Sequence, residues 1–362
     1  MAPAAELAAM RRALELAARG PTHGPNPRVG CVILAPDGTT LAEGYHHGAG
    51  APHAEVVALQ ALTTSAAGAT AIVTLEPCNH TGRTGPCSRA LLDAGVTRVV
   101  VATPDPNPHA AGGIAELAAH GVDVEVGLLG EESRALNERW ATAVGRGGPW
   151  VTWKWASTLD GRSAAADGSS RWITSAPARA DVHRLRAEHD AVLIGTGTAL
   201  TDDPSLTVRR DGVVRGPQPL RVVAGLRDLP PGARLLDGDA DLLHVRTRDP
   251  HVVLAELAAR EVRTVLLEGG PALAAAFLAA GLVDEVVCYL APALLGAGPA
   301  AVGDLGIRGM PDIARLRTTS VDLVGDDVRI VARPLGRDVP PQFQPSQTSH
   351  ELQEAFGVHR DR

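Results

Sequence analysis

The sequence predicts an α/β protein in two halves, and three observations lead there. Hydrophobic runs of five to eight residues alternate with helix-like segments. A Gly-rich stretch, GRGGPW at 145–150, interrupts the alternation, and a second round begins after it. The 362 residues also exceed one ordinary core, at roughly 150 residues per domain.

In the first half the apolar runs predict strands at 28–35, 70–75, 97–102 and 122–126, with helices near 4–19, 53–67, 86–94 and 113–120. In the opening helix Leu7, Met10 and Leu14 fall on one face. The PDG at 36–38, between VGCVILA and TTLAEGYH, reads as a hairpin, so the first sheet is expected to be mixed. After the break, strands are expected at 150–156, 190–195, 219–224, 241–246, 262–267, 283–290 and 327–332, with helices near 176–188, 250–259 and 271–280. From about Gly336 the chain turns to Pro, Gln, Ser and charge, which cannot repay ordering, and reads as a flexible tail with a short helix at 349–356. The expected units are therefore 1–147, 148–335 and a tail at 336–362.

Composition narrows the function classes. Net charge is −7 and Lys154 is the sole lysine among 34 basic residues, so a phosphate-tracking groove would have to be built from arginine. Aromatic residues make up 3%, too few for base-stacking platforms. Nucleic acid is excluded as the expected partner. No apolar stretch approaches the roughly 20 residues of a membrane helix, and the N-terminal segment lacks a signal peptide's apolar block. The expectation is a cytoplasmic protein without a membrane partner. Four scattered cysteines are core fillers or metal ligands; Cys31, inside an apolar strand, is read as packing.

Three groups point to a metal: Pro52-His53-Ala54-Glu55 opening a helix, Glu76-Pro77-Cys78 closing a strand, and Pro86-Cys87 opening another helix. One imidazole and two thiolates suit zinc, and three protein ligands leave a fourth tetrahedral position for water. His53 and Glu55 lie about 200° apart on a helix, so both face one ion only if it sits over the helix end. Cys87 at a helix start favours thiolate. Glu55 would take a proton from the attacking water and pass it to a departing amine. His-x-Glu followed by Pro-Cys-x-x-Cys is the zinc nucleobase deaminase signature. Here eight residues, not two, separate the cysteines, so His80, Arg83 and Thr84 lie on an inserted loop facing whatever enters. A structural zinc knot is the competing reading, and His46 and His80 taken singly also suit surface histidines.

The second half has no strand followed by G-x-G-x-x-G. Instead Leu266-Leu267-Glu268 is followed by Gly269-Gly270-Pro271 opening a helix, where backbone amides could meet a pyrophosphate or where glycine merely serves the turn. Lys154 lies in the strand WVTWKWAS between two tryptophans, either as a mobile ammonium at a site or as an outward-facing strand residue. Arg186 and Arg209 could hold a phosphate or be surface charges.

At PNPRVGCVIL (25–34), HAEVVAL (53–59) and TLEPCNHTGRTGPC (74–87), the chain resembles the bifunctional deaminase/reductase family of riboflavin biosynthesis. The likeness continues through KWASTLDGRSA (154–164), SRWITS (170–175), TDDPSLTVR (201–209) and LLEGGPALA (266–274), to about residue 335. It implies a cytidine-deaminase-like three-layer α/β/α domain followed by a dihydrofolate-reductase-like α/β domain. The first would hydrolyse the exocyclic 2-amino group of a diaminopyrimidinone ribosylamino 5′-phosphate, and the second would use NADPH to reduce the ribose to ribityl. By the resemblance, His53, Cys78 and Cys87 are Zn2+ ligands and Glu55 the proton shuttle; Asn26 reads the pyrimidine, His80, Arg83 and Thr84 meet the phosphate, and His46 is a further deaminase substrate-binding residue. NADPH would lie against Ala156, Trp172, Thr198, Asp202, Gly225, Gly270, Pro271, Ala272, Leu273, Ala274, Ala275 and Ala276. The reductase substrate would meet Lys154, Ser170, Arg186, Leu206, Arg209 and Glu268. Two departures stand out: Gly85 before Pro86, and Gly225 where the family commonly carries a polar residue. The alternatives are a nucleoside or RNA deaminase, or a zinc domain fused to a nucleotide sensor without turnover; a homo-oligomer is compatible with each.

Overall fold

The computed structural model describes residues 4–80 and 85–335. The first half runs α1 (Ala4–Ala17), β1 (Gly30–Leu34), β2 (Thr40–Tyr45), α2 (Ala54–Gln60), β3 (Thr70–Val73), α3 (Cys87–Asp93), β4 (Arg98–Val101), α4 (Gly113–Ala119), β5 (Asp123–Val126) and α5 (Gly130–Arg146). The second runs β6 (Trp150–Thr158), α6 (Ala176–Ala187), β7 (Ala191–Gly195), α7 (Thr196–Asp202), β8 (Arg209–Arg210), β9 (Val213–Val214), β10 (Leu220–Ala224), β11 (Leu242–Val245), α8 (Pro250–Ala258), β12 (Thr264–Leu267), α9 (Pro271–Ala279), β13 (Glu285–Ala291), β14 (Leu316–Val324) and β15 (Asp327–Pro334).

The first sheet has the order β2-β1-β3-β4-β5; β1 pairs antiparallel with β2 and β3, and the remaining pairs are parallel, so the sheet is mixed as the PDG turn predicts. Alternation along β1 sends Cys31 and Ile33 to the face covered by α2, α3 and α4, and Val32 and Leu34 to the face covered by α1. Cys31 is buried packing, as expected. The buried face of α1 centres on Met10, Ala13 and Leu16, with Leu7 and Leu14 only half-buried at its margins. It also carries Glu6, buried because Arg98 donates to both its oxygens at 2.7 and 3.0 Å.

The second sheet has the order β11-β10-β7-β12-β6-β13-β15-β14, parallel from β11 to β13 and finished by an antiparallel hairpin. Its central strands are buried on both faces, by α8 and α9 on one side and α6 and α7 on the other, which is why they read as unbroken apolar runs. A parallel body with an antiparallel edge is the dihydrofolate-reductase-like layout. Among the described residues no helix is long and apolar enough to cross a membrane.

Several expectations need correction. The helix expected over 53–67 stops at Gln60. Residues 130–146, unassigned from the sequence, form a 17-residue helix, so Gly145 and Arg146 of the supposed hinge are helical and left-handed Gly147 (φ 69°) caps the end. The high charge of α5 masked its period; Arg139 reaches Glu285 at 2.8 Å and Glu138 reaches Arg333 at 2.6 Å, so these two charged residues bridge to the second sheet. The α7 helix and the exposed edge strand β14 were also unassigned. The helix expected at 349–356 and the tail lie outside the described residues.

Candidate active sites

In the first half, strand ends and helix starts converge at one end of the interior β1–β3 pair. His53 is the N-cap of α2, Cys78 follows β3, and Cys87 is the first residue of α3. Their ligand atoms lie within 4.8 Å of one another: His53 Nδ1 is 3.2 Å from Cys87 Sγ and 3.5 Å from Cys78 Sγ. The three ligand atoms thus gather at the start of α2, where a bound ion would face both His53 and Glu55 despite their offset of about 200°. Gly44 makes this approach of α2 to β2 feasible, since a Cβ there would stand 2.4 Å from the Ala54 carbonyl oxygen.

The charges suit a dication. The Cys78 thiol is drawn down to about 4 by hydrogen bonding from Cys87 and from His53, while Cys87, sharing that contact and buried, is pushed up. The hydrogen bond to Cys78 raises the His53 imidazole. Two sulfurs and an imidazole turned inward, two of the three residues buried, form a donor set that fits zinc. Glu55 is 3% exposed, and burial followed by the Cys78 charge raises its carboxyl to about 7, where a group can both accept and return a proton.

His46 sits beside this cluster, its ring edge-on to His53 at 5.4 Å. Burial lowers its pKa and so favours the neutral ring. Its Nδ1 is 3.0 Å from the Pro52 carbonyl, an acceptor, so Nδ1 carries the proton and Nε2 accepts from Asn26 Nδ2 at 3.0 Å. Asn26 Oδ1 is thereby freed to face a ligand. His80 is exposed, and Arg83 and Thr84 lie outside the described residues.

In the second half a cleft of about 1270 Å³ opens at the carboxyl ends of the parallel strands, where ligands bind in open α/β sheets. It exceeds the roughly 300–1,000 Å³ of common ligand pockets and has room for a dinucleotide beside a second ligand. Lys154, Ser170, Arg186, Leu206, Arg209 and Glu268 line it, as do Ala156, Trp172, Thr198, Asp202, Gly225, Gly270, Pro271, Ala272, Leu273 and Ala276. Gly270 caps α9, and its N–H donates to Thr198 Oγ1 at 3.2 Å. Arg186 donates to both oxygens of Glu268, and Lys154, whose pKa burial lowers, lies 5.8 Å from the Tyr289 ring. Arg209 Nε donates to Thr207 Oγ1 at 2.9 Å and has its nearest carboxylate, Asp239, only at 4.0 Å.

Residues 149–330 match the RibD C-terminal domain, and residues 4–103 match the cytidine and deoxycytidylate deaminase zinc-binding region. The chain is 49% identical over 320 residues to riboflavin biosynthesis protein RibD of Mycobacterium tuberculosis, covering 87% of this chain and 93% of the relative. It is 40% identical over 356 residues to the RibD of Escherichia coli K12, covering 88% and 96%. The chain belongs to the RibD family. The solved RibD of Acinetobacter baumannii superposes with a TM-score of 0.83 at 39% identity, covering 91% of this chain and 99% of that one. A deaminase/reductase from Thermotoga maritima gives 0.82 at 33% identity, with the same coverage. As a RibD-family protein the chain is a bifunctional enzyme of riboflavin biosynthesis, pairing a zinc deaminase domain with an NADPH-dependent reductase domain.

Within this RibD-family scaffold two of the expected cofactor residues do not line the cleft: Ala274 and Ala275 are buried, Ala274 in the sheet-facing core, because those helical positions turn away from it. Gly225 has a steric reason. Its φ is +137°, and a Cβ would stand 2.5 Å from Thr196 Oγ1, so Thr196 fills the space that a polar side chain would need. Sequence reasoning missed His183, which lines the cleft between Arg186 and Arg209 and whose pKa burial and Arg186 lower. Glu76, singled out in the Glu-Pro-Cys group but given no role of its own, has a buried carboxylate that accepts the N–H groups of Asp105, Gly112 and Ile114 and so fixes the loops around Cys78. Glu76 precedes the Pro-Cys motif, a signal that was readable; nothing in the sequence linked His183 to the cleft.

Proposed function

We propose that the two sites perform successive reactions on one phosphorylated pyrimidine, deamination of 2,5-diamino-6-ribosylamino-4(3H)-pyrimidinone 5′-phosphate followed by reduction of its ribose. The observation that carries the first step is the convergence of His53, Cys78 and Cys87 beside buried Glu55. Zinc held by these three residues would supply the Lewis acidity that makes water nucleophilic at neutral pH. Glu55 accepts a proton from the attacking water and returns it to the exocyclic nitrogen, so that ring C–NH2 and water become C=O and ammonia. Asn26, oriented by His46, holds the pyrimidine edge; His80, with Arg83 and Thr84 close after it in the sequence, takes the phosphate.

For the second step, bound NADPH would supply a hydride to C1 of the ring-opened ribosylimine, and with one proton the product is a ribitylamine. Gly270 and the first turn of α9, with Thr198, Asp202, Trp172 and Ala156, hold the dinucleotide. Lys154 orients the sugar together with Ser170 and Leu206. Arg186 is already occupied by Glu268, so Arg209 is the better phosphate ligand and Arg186 chiefly sets the Glu268 carboxylate. The division between the two halves falls at 147/148, after the α5 cap. The partner is this small substrate, not nucleic acid or a membrane, and the setting is the cytoplasm.

Purified protein given the diaminopyrimidine phosphate should release ammonia without NADPH and form the ribityl product only once NADPH is added. NADPH oxidation without prior ammonia release would reverse the proposed order.

A further inference from the structure

Residues 21–27, Pro-Thr-His-Gly-Pro-Asn-Pro, join α1 to β1. Three prolines remove amide donors and forbid a helix, so this segment cannot hold itself by regular backbone pairing. It nonetheless carries Asn26 and, with His47 and Gly48, lines a cleft of about 310 Å³. Its placement comes from elsewhere. The Trp140 Nε1–H donates to the Pro25 carbonyl at 2.9 Å, and Asn137 pairs with both the N–H and the C=O of Arg28 at 2.8 Å. Those supports come from α5.

One more crosses to the other half of the chain. The Gly24 N–H donates to Asp190 Oδ1 at 2.5 Å, and His23 Nδ1 stands 3.8 Å from the same oxygen. Asp190 immediately precedes β7 of the second sheet. Its other oxygen, Oδ2, accepts from Arg263 N (2.9 Å), Thr264 N (2.8 Å) and Thr264 Oγ1 (2.9 Å) at the start of β12. The carboxylate is thus fixed by three donors of the reductase sheet and presents its free oxygen to the deaminase segment.

We propose that Asp190, a residue of the reductase half, is a positioning residue for deamination: it completes the seat of the 21–27 segment and thereby sets Asn26 for the pyrimidine. The inference rests on the reading of Asn26 as a pyrimidine ligand.

Asp190→Asn separates the two duties. An amide has one oxygen, and the three donors of β12 claim it, so its NH2 faces the Gly24 N–H and the tether is lost while the sheet anchor stays. With the diaminopyrimidine phosphate as substrate, the deaminase KM should rise about tenfold, the order that one hydrogen bond to a charged group carries. Its kcat, the zinc content and the NADPH-dependent turnover of the deaminated intermediate should hold. Hydrogen exchange should quicken in the peptide spanning 20–28 and not in that spanning 263–267. An unchanged KM in the folded variant overturns the proposal, and so does an equal loss of both activities, which would mean a loosened interface. Asn26→Ala run in parallel separates the premises. If it leaves KM unchanged, the reading of Asn26 is wrong and the proposal goes with it; if it raises KM while Asp190→Asn does not, only the role of Asp190 is wrong. Should Asp190→Asn not fold, Asp190→Glu, which keeps both acceptors one methylene further out, carries the same comparison with a smaller expected rise.

Discussion

Arg186 and Glu268 meet in the reductase cleft through two parallel hydrogen bonds, Nε to Oε1 at 2.7 Å and Nη2 to Oε2 at 3.0 Å, with both side chains largely withdrawn from solvent. Burial by itself would raise the Glu268 carboxyl, but the charge and hydrogen bonds of Arg186 outweigh it and bring it down to about 2. The folded carboxyl therefore titrates below its ordinary value, and its stabilisation is present above about pH 4.5 and lost as pH falls toward 2. Unfolding free energy should decline in that window with an added slope approaching about 1.4 kcal/mol per pH unit. Glu268→Gln should remove this component and, by leaving Arg186 without its counter-charge, cost about 3–5 kcal/mol at neutral pH. Denaturant melts from pH 2 to 7 check it; identical slopes in both proteins would refute the assignment.

Glu55→Gln should keep the metal, since no ligand is touched, and lower ammonia release by at least about 10²-fold, the usual lower contribution of a proton carrier. Metal analysis beside an ammonia assay tests this. Full activity with full zinc would remove Glu55 from the mechanism.

Chelation of zinc should abolish ammonia release and leave NADPH oxidation by the deaminated intermediate intact, because none of the His53, Cys78 and Cys87 ligands lines the reductase cleft. Re-addition of zinc should restore the first activity. Parallel loss of both activities would contradict two independent sites.

Lys154→Ala should spare deamination and slow NADPH oxidation by about tenfold or more, as expected for losing one oriented charge in a partly desolvated site. Steady-state assays of the two half-reactions give the answer; an unaltered reductase would make Lys154 a strand residue with no part in turnover.

Gly225→Ser introduces the polar residue that the family resemblance leads one to expect, but it meets Thr196 Oγ1 and forces a side chain into φ +137°. A loss of about 1–3 kcal/mol is expected from the overpacking, seen as a lower melting temperature with weaker NADPH binding. Adding Thr196→Ala should recover the steric part. A variant as stable as the parent would show that Thr196 yields readily.

Local pattern determined much of this. Alternating apolar runs are a consequence of strands buried on both faces, so the two α/β halves were legible, and so was the His53, Glu55, Cys78 and Cys87 set, because ligand chemistry restricts residue types and their spacing. Tertiary structure decided what depends on distant partners. The α5 helix takes its placement from ion pairs with Glu285 and Arg333, Gly225 is dictated by Thr196, and the segment carrying Asn26 is held by Asp190, 166 residues from Gly24. The physical reason is that periodicity records which face of an element is buried, whereas a hydrogen bond or a steric limit between remote residues leaves no periodic trace along the chain.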